Sequence, residues 1–296
     1  MGKFQEITSS SNKHIRYLEK LMKSRKFRRE EKRFAAEGLR ICEEAVKRGF
    51  AEEILVNKEF LDRDLFREKN VLNGIEQDKV YVLADEAFKK ISETVNSQGI
   101  MVISKMPEYD LDEILDRKAH ASEDEIKAGS AEDIKSSDKA LSKQKRLILA
   151  LDALNDPGNL GTIVRTCLGT GVDIILMSRD TVDITSPKVI RSTMGAIYEV
   201  PFIYCALPET LNKLKSRGFT IFGTFPAASM RYDKCDLKIP SVFVIGNEAN
   251  GISKETEEAC NARLYIPMQN GLESLNAGVA ASVMLYEAAR QRDFNL

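Results

Sequence analysis

Neither Gly-x-Gly-x-x-Gly nor Gly-Lys-Ser/Thr occurs in this 296-residue chain. Without them a Rossmann dinucleotide site and a phosphate-cradling P-loop both lack their fingerprint. Histidine is scarce as well. His14 lies in a basic N-terminal stretch and His120 in a polar one, and there are no others, so a His-based hydrolase or metal centre has little to build with. The five cysteines, Cys42, Cys167, Cys205, Cys235 and Cys260, are scattered with no Cys-x-x-Cys pair. That spacing disfavours a structural zinc site and a disulfide framework, so reduced thiols and no metal are expected. No run of about 18 uncharged apolar residues is present to span a bilayer, and the opening Met1-Gly2-Lys3-Phe4-Gln5-Glu6 lacks the apolar core of a signal peptide. A soluble, cytoplasmic protein without a membrane partner is expected.

What is present is enough apolar material for two ordinary domains, 43% of residues, and an uneven distribution of charge. The formal net charge is −1, yet residues 1–50 hold 14 Lys and Arg against 7 Asp and Glu. Within them Lys20, Lys23, Arg25, Lys26, Arg28 and Arg29 form a dense basic run, followed by Lys32 and Arg33. Such a run neutralises phosphates and releases their counterions, which gives salt-sensitive attraction to nucleic acid. The competing account is a solvated helix face, since Glu30, Glu31 and Glu37 are spaced to pair with these bases.

Residues 1–117 predict a compact α/β module. Ile15, Leu18, Leu21 and Met22 make one helical stripe, and Leu39, Cys42, Ala45 and Val46 another; Arg33–Glu37, Glu53–Val56, Val80–Leu83 and Gly99–Ser104 are strand candidates. Residues 118–145 are rich in Ala, Ser, Glu, Asp and Lys with few large apolar side chains. They cannot bury enough surface to offset ordering entropy and are expected to form a flexible or partly helical linker. From 146 to 296 apolar runs and helical patterns alternate regularly. Helices are expected over Asn159–Gly169, Lys188–Ala196, Pro208–Arg217, Ser253–Asn261 and Asn276–Arg292, between strands that include Arg146–Asp152, Val172–Met177, Val200–Ile203 and Ser241–Gly246. Alternation of this kind specifies a mostly parallel sheet covered on both faces.

Three loops of this second region share one design: a β-branched run breaks into Gly, Asn and Pro ahead of a helical pattern, as at the carboxyl ends of strands in an α/β sheet. The first is Asn155-Asp156-Pro157-Gly158-Asn159-Leu160-Gly161, the second Ile245-Gly246-Asn247-Glu248-Ala249-Asn250-Gly251, and the third Ile266-Pro267-Met268 through Ser274-Leu275-Asn276-Ala277. In the helix after the first loop, Leu160, Ile163, Val164, Cys167 and Leu168 form the apolar stripe, and Arg165 lies off it. By spacing alone Arg165 reads as a solvated arginine, Glu248 as a solvated loop acid, and Ser274 or Asn276 as a helix cap.

The order and wording of these loops resemble the SpoU, or TrmH-like, branch of the SPOUT RNA methyltransferases. Phe34-Ala35-Ala36-Glu37-Gly38-Leu39-Arg40 and Ser97-Gln98-Gly99-Ile100 resemble the ribosomal-protein-like substrate-binding domain found at the N-terminus of many members. The resemblance implies an α/β trefoil-knot domain using S-adenosylmethionine, which periodicity alone does not show, and a homodimer that completes the active site with help from the last helix. It assigns the chemistry to Asn159, Arg165, Glu248, Ser274 and Asn276, and the cofactor to Gly223, Thr224, Gly246, Ile266, Met268 and Leu275. Arg165 and Glu248 are expected to form a charge pair, one formed between subunits. The implied role of the arginine is activation of a ribose 2′-hydroxyl. A guanidinium hardly ever loses its proton, but a protonated one can stabilise the developing alkoxide and hold the nucleophile in line; the protonation state stays open. Lys23, Arg25, Lys26, Arg28, Arg29 and Arg40 are the expected RNA contacts, with Ser186-Pro187-Lys188 and Arg191 a weaker candidate stretch. The expected partner is structured RNA, ribosomal RNA ahead of tRNA. The alternatives are a tRNA 2′-O-methyltransferase and a non-catalytic RNA-binding or ribosome-assembly factor.

Overall fold

The computed structural model describes residues 4–61, 74–116 and 146–294. The chain divides into two compact units, Met1–Pro107 with Asp183–Glu199, and Glu108–Val182 with Val200–Leu296. The linker expected over 118–145, and His120 with it, lies outside the described residues.

In the first unit, five strands, β1 (Gln5–Ile7), β2 (Arg33–Glu37), β3 (Ala51–Asn57), β4 (Val80–Leu83) and β5 (Ile100–Lys105), form a mixed sheet in the order β1-β4-β3-β5-β2. The expected stripe of Ile15, Leu18, Leu21 and Met22 is fully buried on the helix Lys13–Lys23 and packs with Leu55, Met101 and Ile103 on one sheet face. Period-two alternation sends Phe34, Ile54 and Val102 to the other face, and all three are buried too.

Asp183–Glu199 belongs to this unit, and it covers that second face. Tyr198 stacks on Phe34 and Phe50 with ring centroids 5.9 and 5.4 Å apart, and its hydroxyl shares a 2.7 Å hydrogen bond with Ser104 Oγ. The helix expected over Lys188–Ala196 stops at Thr193, because Met194 and Gly195 take left-handed backbone (φ 55° and 96°). The chain then resumes as a 3-10 turn, Ala196–Tyr198, which turns the tyrosine ring onto the sheet.

A buried ion pair fastens the same segment. Arg28, expected to face RNA, is 3% exposed, and its Nη2 lies 2.6 Å from Asp183 Oδ2. Its Nε donates to Asp183 and to Thr185 Oγ1, and its Nη1 donates to the carbonyls of Leu21 and Met22 at 2.8 Å each. The guanidinium is spent inside the fold, so Arg28 is removed from the set of RNA contacts: it is a structural cation.

The described residues of the second unit form seven strands, β6 (Leu147–Leu151), β7 (Ile174–Ser178), β8 (Phe202–Cys205), β9 (Thr220–Thr224), β10 (Met230–Arg231), β11 (Ser241–Ile245) and β12 (Ala262–Tyr265). Their order is β10-β12-β9-β11-β6-β7-β8 and every pairing is parallel. The fold class is therefore the expected one, α/β with a mostly parallel C-terminal sheet and a smaller N-terminal α/β unit. Every residue of β6 and β11 is buried, as the central strands of a sheet covered on both faces must be. One face packs Ile148, Ala150, Val242 and Val244 against Leu207, Leu211 and Leu214 of the helix Leu207–Ser216. The helix Ala277–Gln291 packs against the helix Pro157–Thr170 and against β11. Its end is held by fully buried Arg292, which donates to the carbonyls of Leu237 (2.7 Å), Ile239 (2.8 Å) and Arg146 (3.2 Å), at the entries of β11 and β6. Among the described residues no helix is long and apolar enough to cross a membrane, and no cluster of side chains suits a metal ion.

Replacing Asp183 with Ala strands the Arg28 guanidinium in the interior. Removing one partner of a buried ion pair costs about 3–5 kcal/mol, so Asp183→Ala should lower the unfolding midpoint of the first unit in denaturant titrations. A midpoint equal to that of the parent would refute the structural role given to Arg28.

Candidate active site

β6 and β11 are adjacent and parallel, with Leu147 opposite Ser241 through Leu151 opposite Ile245. Their carboxyl ends therefore coincide, and the first and second loops leave the sheet side by side. The first loop enters its helix with Asp156 as N-cap, its Oδ1 accepting from the Asn159 N–H at 2.7 Å, and with Pro157 in the first turn, where a missing N–H costs nothing. Gly171, in left-handed conformation, ends the same helix.

Glu248 is the centre of the arrangement. Its Oε1 accepts from Asn159 Nδ2 at 2.8 Å and from the Asp156 N–H at 3.3 Å, and its Oε2 accepts from the Asn155 N–H at 3.2 Å. Burial alone would push this carboxyl up. The hydrogen bonds from Asn159, from its own backbone N–H and from those of Asn155 and Asp156 outweigh it, leaving the pKa below the ordinary glutamate value. A depressed value means that the carboxylate, and the clamp it forms, persists at neutral pH and is lost only as acid titrates the group.

The second loop is closed by its own backbone. Asn247 and Gly251 exchange hydrogen bonds of 2.8 and 2.9 Å, Gly251 turns the chain with φ 71°, and a Cβ on Gly246 would sit 2.2 Å from the Gly251 carbonyl carbon. The close approach that Gly246 permits is thus by the returning chain itself. Two residues that sequence reasoning passed over lock this loop: the carboxylate of Asp152, 6% exposed, accepts from both the N–H (2.8 Å) and the Oγ (2.7 Å) of Ser253. Ser253 also caps the helix Lys254–Glu258, a signal legible in the sequence; nothing in the sequence singles out Asp152.

The third loop joins through the final helix. Asn276 caps it, Oδ1 accepting from the N–H groups of Gly278 (2.9 Å) and Val279 (3.3 Å). A Cβ on Gly278 would come within 3.6 Å of the Asn159 backbone. One turn on, Ser282 and Thr166 share a 3.0 Å hydroxyl hydrogen bond. Asn159, Glu248 and Asn276 are thereby brought to one edge of the sheet. Ser274 is exposed in the same loop.

Arg165 is exposed, and among the described residues it forms no ion pair with Glu248 or with any other acid. Within one chain the expected Arg165 and Glu248 pair does not exist, because the carboxylate is already committed to the first loop. Arg165 lies six residues beyond Asn159, ~9 Å along the helix axis. Leu168, expected in the buried stripe, is 41% exposed, and Val279 and Tyr286 on the neighbouring helix are 47% and 50% exposed.

Of the cofactor candidates, Gly223 is buried at the end of β9, where an added Cβ would meet Phe225 and Cys260 Sγ, and Thr224 Oγ1 donates to the Val244 carbonyl at 2.8 Å. Ile266, Met268 and Leu275 are half-buried. From Pro267 to Leu275 the backbone makes one hydrogen bond among the described residues, Leu272 N–H to the Gln269 carbonyl. Half-buried apolar side chains beside peptide groups without backbone partners are the chemistry that a flat heteroaromatic ring with donors and acceptors on its edge would use.

On the first unit, Lys23 and Lys26 are exposed and form long helical pairs with Glu19 (3.8 Å) and Glu30 (3.7 Å). Arg29 is exposed and Arg25 half-buried. Arg40 meets Arg191, 151 positions away in sequence, on the wall of one cavity.

Residues 146–286 match the SpoU rRNA Methylase family, and residues 12–102 match the MRM3-like substrate binding domain. An uncharacterized tRNA/rRNA methyltransferase of Synechocystis sp. is 33% identical over 213 residues, 72% of this chain and 68% of the relative. The chain belongs to the SpoU family. The 23S rRNA (guanosine(2553)-2′-O)-methyltransferase RlmP of Bacillus subtilis is 29% identical over 284 residues, 95% of this chain and 98% of the relative. The solved AdoMet-bound rRNA methyltransferase of Sinorhizobium meliloti is 26% identical, with a TM-score of 0.76 over 98% of each chain. Similarity to SpoU relatives thus extends over both units.

The clamp has a direct test. In Glu248→Ala the amides of Asn155 and Asp156 lose their acceptor, and their hydrogen exchange should rise several-fold while the amides of β6 keep their protection. In the parent, acidification through the Glu248 titration should produce the same rise. Unchanged exchange at both positions would show that the first loop holds its shape without Glu248.

Proposed function

We propose that this protein is an S-adenosylmethionine-dependent RNA methyltransferase that methylates a ribose 2′-hydroxyl, with ribosomal RNA as its substrate in the cytoplasm. Three things support this: membership of the SpoU family, the relation to RlmP along both units, and one observation of geometry. That observation is the Glu248 clamp, which fixes Asn159 at the carboxyl edge of the parallel sheet while leaving the nearby Arg165 without an acidic partner among the described residues.

In this mechanism the half-buried Ile266, Met268 and Leu275, with the open backbone of the third loop, hold the cofactor, and Gly223, Thr224 and Gly246 shape the floor beneath. When bound, the cofactor supplies a methyl group on a positively charged sulfur. Arg165 orients the ribose hydroxyl and stabilises negative charge as it develops on the oxygen, the kind of preorganised electrostatic help that contributes most where water is excluded. Asn159 and Glu248 fix the helix start, and with it the direction in which Arg165 projects. Ser274 and Asn276 present hydrogen-bonding groups from the third loop.

A second copy of the chain completes the site. Leu168, Val279 and Tyr286 are large apolar side chains left exposed around the paired helices, and covering them removes apolar surface from water at about 25 cal/mol per Å². A face-to-face homodimer buries this surface and brings each Arg165 toward loops it does not reach in its own chain.

Labelled S-adenosylmethionine and total RNA from a strain lacking the gene test the reaction: the label should map to one ribose 2′-oxygen. Label in base atoms or in protein would refute it. Arg165→Ala should keep cofactor affinity in calorimetry and lose turnover by about 100- to 1,000-fold, the loss typical for one oxyanion donor; near-normal methylation would remove Arg165 from its role. For the assembly, Tyr286→Glu combined with Val279→Glu should convert a dimer to a monomer in sedimentation and abolish turnover without unfolding the sheet. A parent protein that sediments as a monomer at micromolar concentration would exclude the dimeric site.

A further inference from the structure

The first unit contains a cavity of about 420 Å³, within the size range of small-ligand sites, whose walls include Glu37, Leu39, Arg40, Ile41, Arg191 and Met194. Three elements far apart in sequence build it: the end of β2 with the start of the helix Leu39–Lys47, the turn before β5, and the helix Pro187–Thr193 with its left-handed end at Met194. Hydrocarbon from Leu39, Ile41 and Met194 forms much of the lining, and Met194 is held in an unfavourable φ of 55° at 40% exposure.

The polar groups are of two kinds. Arg40 and Arg191 carry guanidinium groups that, among the described residues, have no acidic partner. Glu37 is a half-buried carboxylate held in place by neighbours: Ser92 Oγ lies 2.9 and 3.0 Å from its two oxygens, and Thr94 Oγ1 donates to Oε1. An ionised carboxylate offers about four acceptor sites. Two hydroxyl protons fill at most two of them, so about two remain for a ligand, on a group that cannot swing away. Gln98 Oε1 accepts from the Leu39 N–H at 2.8 Å, so that donor is already satisfied.

We propose that this cavity receives an unstacked nucleobase of the substrate RNA, one that presents adjacent N–H donors on its Watson–Crick edge, guanine foremost. The base edge meets the two free acceptor positions of Glu37, its face lies on the hydrocarbon of Met194 and Ile41, and Arg40 and Arg191 take the flanking phosphates. Single-stranded RNA is recognised in this way, by splayed bases read on their edges and stacked on side chains. The proposal rests on the RNA-methyltransferase reading given above and adds to it a base-reading subsite on the first unit. Phosphate contacts position without specifying and base contacts specify, so the arginines and the glutamate have separable effects.

Fluorescein-labelled uridine hexamers with one central guanosine, inosine or adenosine, titrated with the full chain and followed by anisotropy, test it. The parent should bind the guanosine hexamer about tenfold more tightly than the adenosine one, within the range for a bidentate base contact. Inosine, which lacks the exocyclic amine, should fall between. Glu37→Gln should abolish that order. Arg191→Ala and Arg40→Ala, both at the cavity wall, should weaken all three hexamers alike by several-fold and flatten the salt dependence, leaving the order intact. Methylation of total RNA by the same preparations should show a raised KM with kcat unchanged. Equal affinity of the parent for guanosine and adenosine, or an order that survives Glu37→Gln, overturns the proposal. If Glu37→Gln disturbs the Ser92–Thr94 turn, Met194→Ala is the second variant, expected to weaken the guanosine and adenosine hexamers without altering salt dependence; no effect there also overturns it. A guanosine preference in a protein that transfers no methyl group to any RNA would refute the enzymatic reading and leave the cavity assignment standing.

Discussion

Everything at the edge where the chemistry is proposed follows from the parallel, in-register pairing of β6 with β11. Two parallel neighbours end together, so the loops that follow them must share space. Here that crowding is resolved by stitching: the Asp152 N–H donates to the Ile245 carbonyl at 2.9 Å, the Asp152 carboxylate accepts from Ser253, Asn247 Nδ2 donates to the Ala153 carbonyl at 2.7 Å, and Glu248 accepts from Asn155 and Asp156. Each bond contributes about 1 kcal/mol net, but together they make the two loops one object. Neither can move without unpairing peptide groups of the other.

The final helix adds a second constraint. Its N-terminus is set beside Asn159 by the close approach at Gly278, its middle is bonded to Thr166 through Ser282, and Arg292 just beyond its last turn is tied to carbonyls at the opposite end of the sheet. Helix and sheet are therefore pinned at both ends. The position of Asn276, and of the third loop behind it, is inherited from packing far from the edge where the chemistry is proposed.

Much of this was legible in the residues, for reasons that differ by element. β2 and β4 run over the residues expected, Arg33–Glu37 and Val80–Leu83, because short apolar runs between polar breaks, Phe34-Ala35-Ala36 in one and Val80–Leu83 in the other, leave little freedom of register. The stripe of Leu160, Ile163, Val164 and Cys167 placed Arg165 outside the core, where it is found. What was not legible depends on contacts remote in sequence. Nothing local marks Arg28 as different from Arg29, yet one is sealed against Asp183, 155 positions away, and the other is exposed. Nor does composition tell that Asp183–Glu199, written in the same α/β alternation as its surroundings, has its apolar partners Phe34 and Phe50 in the first unit. The cavity shared by Arg40 and Arg191 is invisible for the same reason.

Within one chain Arg165 and Glu248 stay apart, and that separation bears on the proposed reaction. A guanidinium neutralised by a neighbouring carboxylate contributes little field at a developing alkoxide, because the two charges act in opposition at nearly the same distance. Glu248 instead spends its charge on peptide N–H groups and on Asn159, which are neutral, so the negative charge is solvated by the loop it organises. Arg165, exposed and without an acidic partner among the described residues, is left available to the proposed reaction. In the proposed reaction an acid shapes the loop while a cation with no acidic partner among the described residues serves the reacting oxygen, a division of labour that a direct ion pair within the chain would cancel. For that proposed role the clamped first turn of the helix matters, because a long, flexible cation is useful at a reacting oxygen only when its anchor does not move.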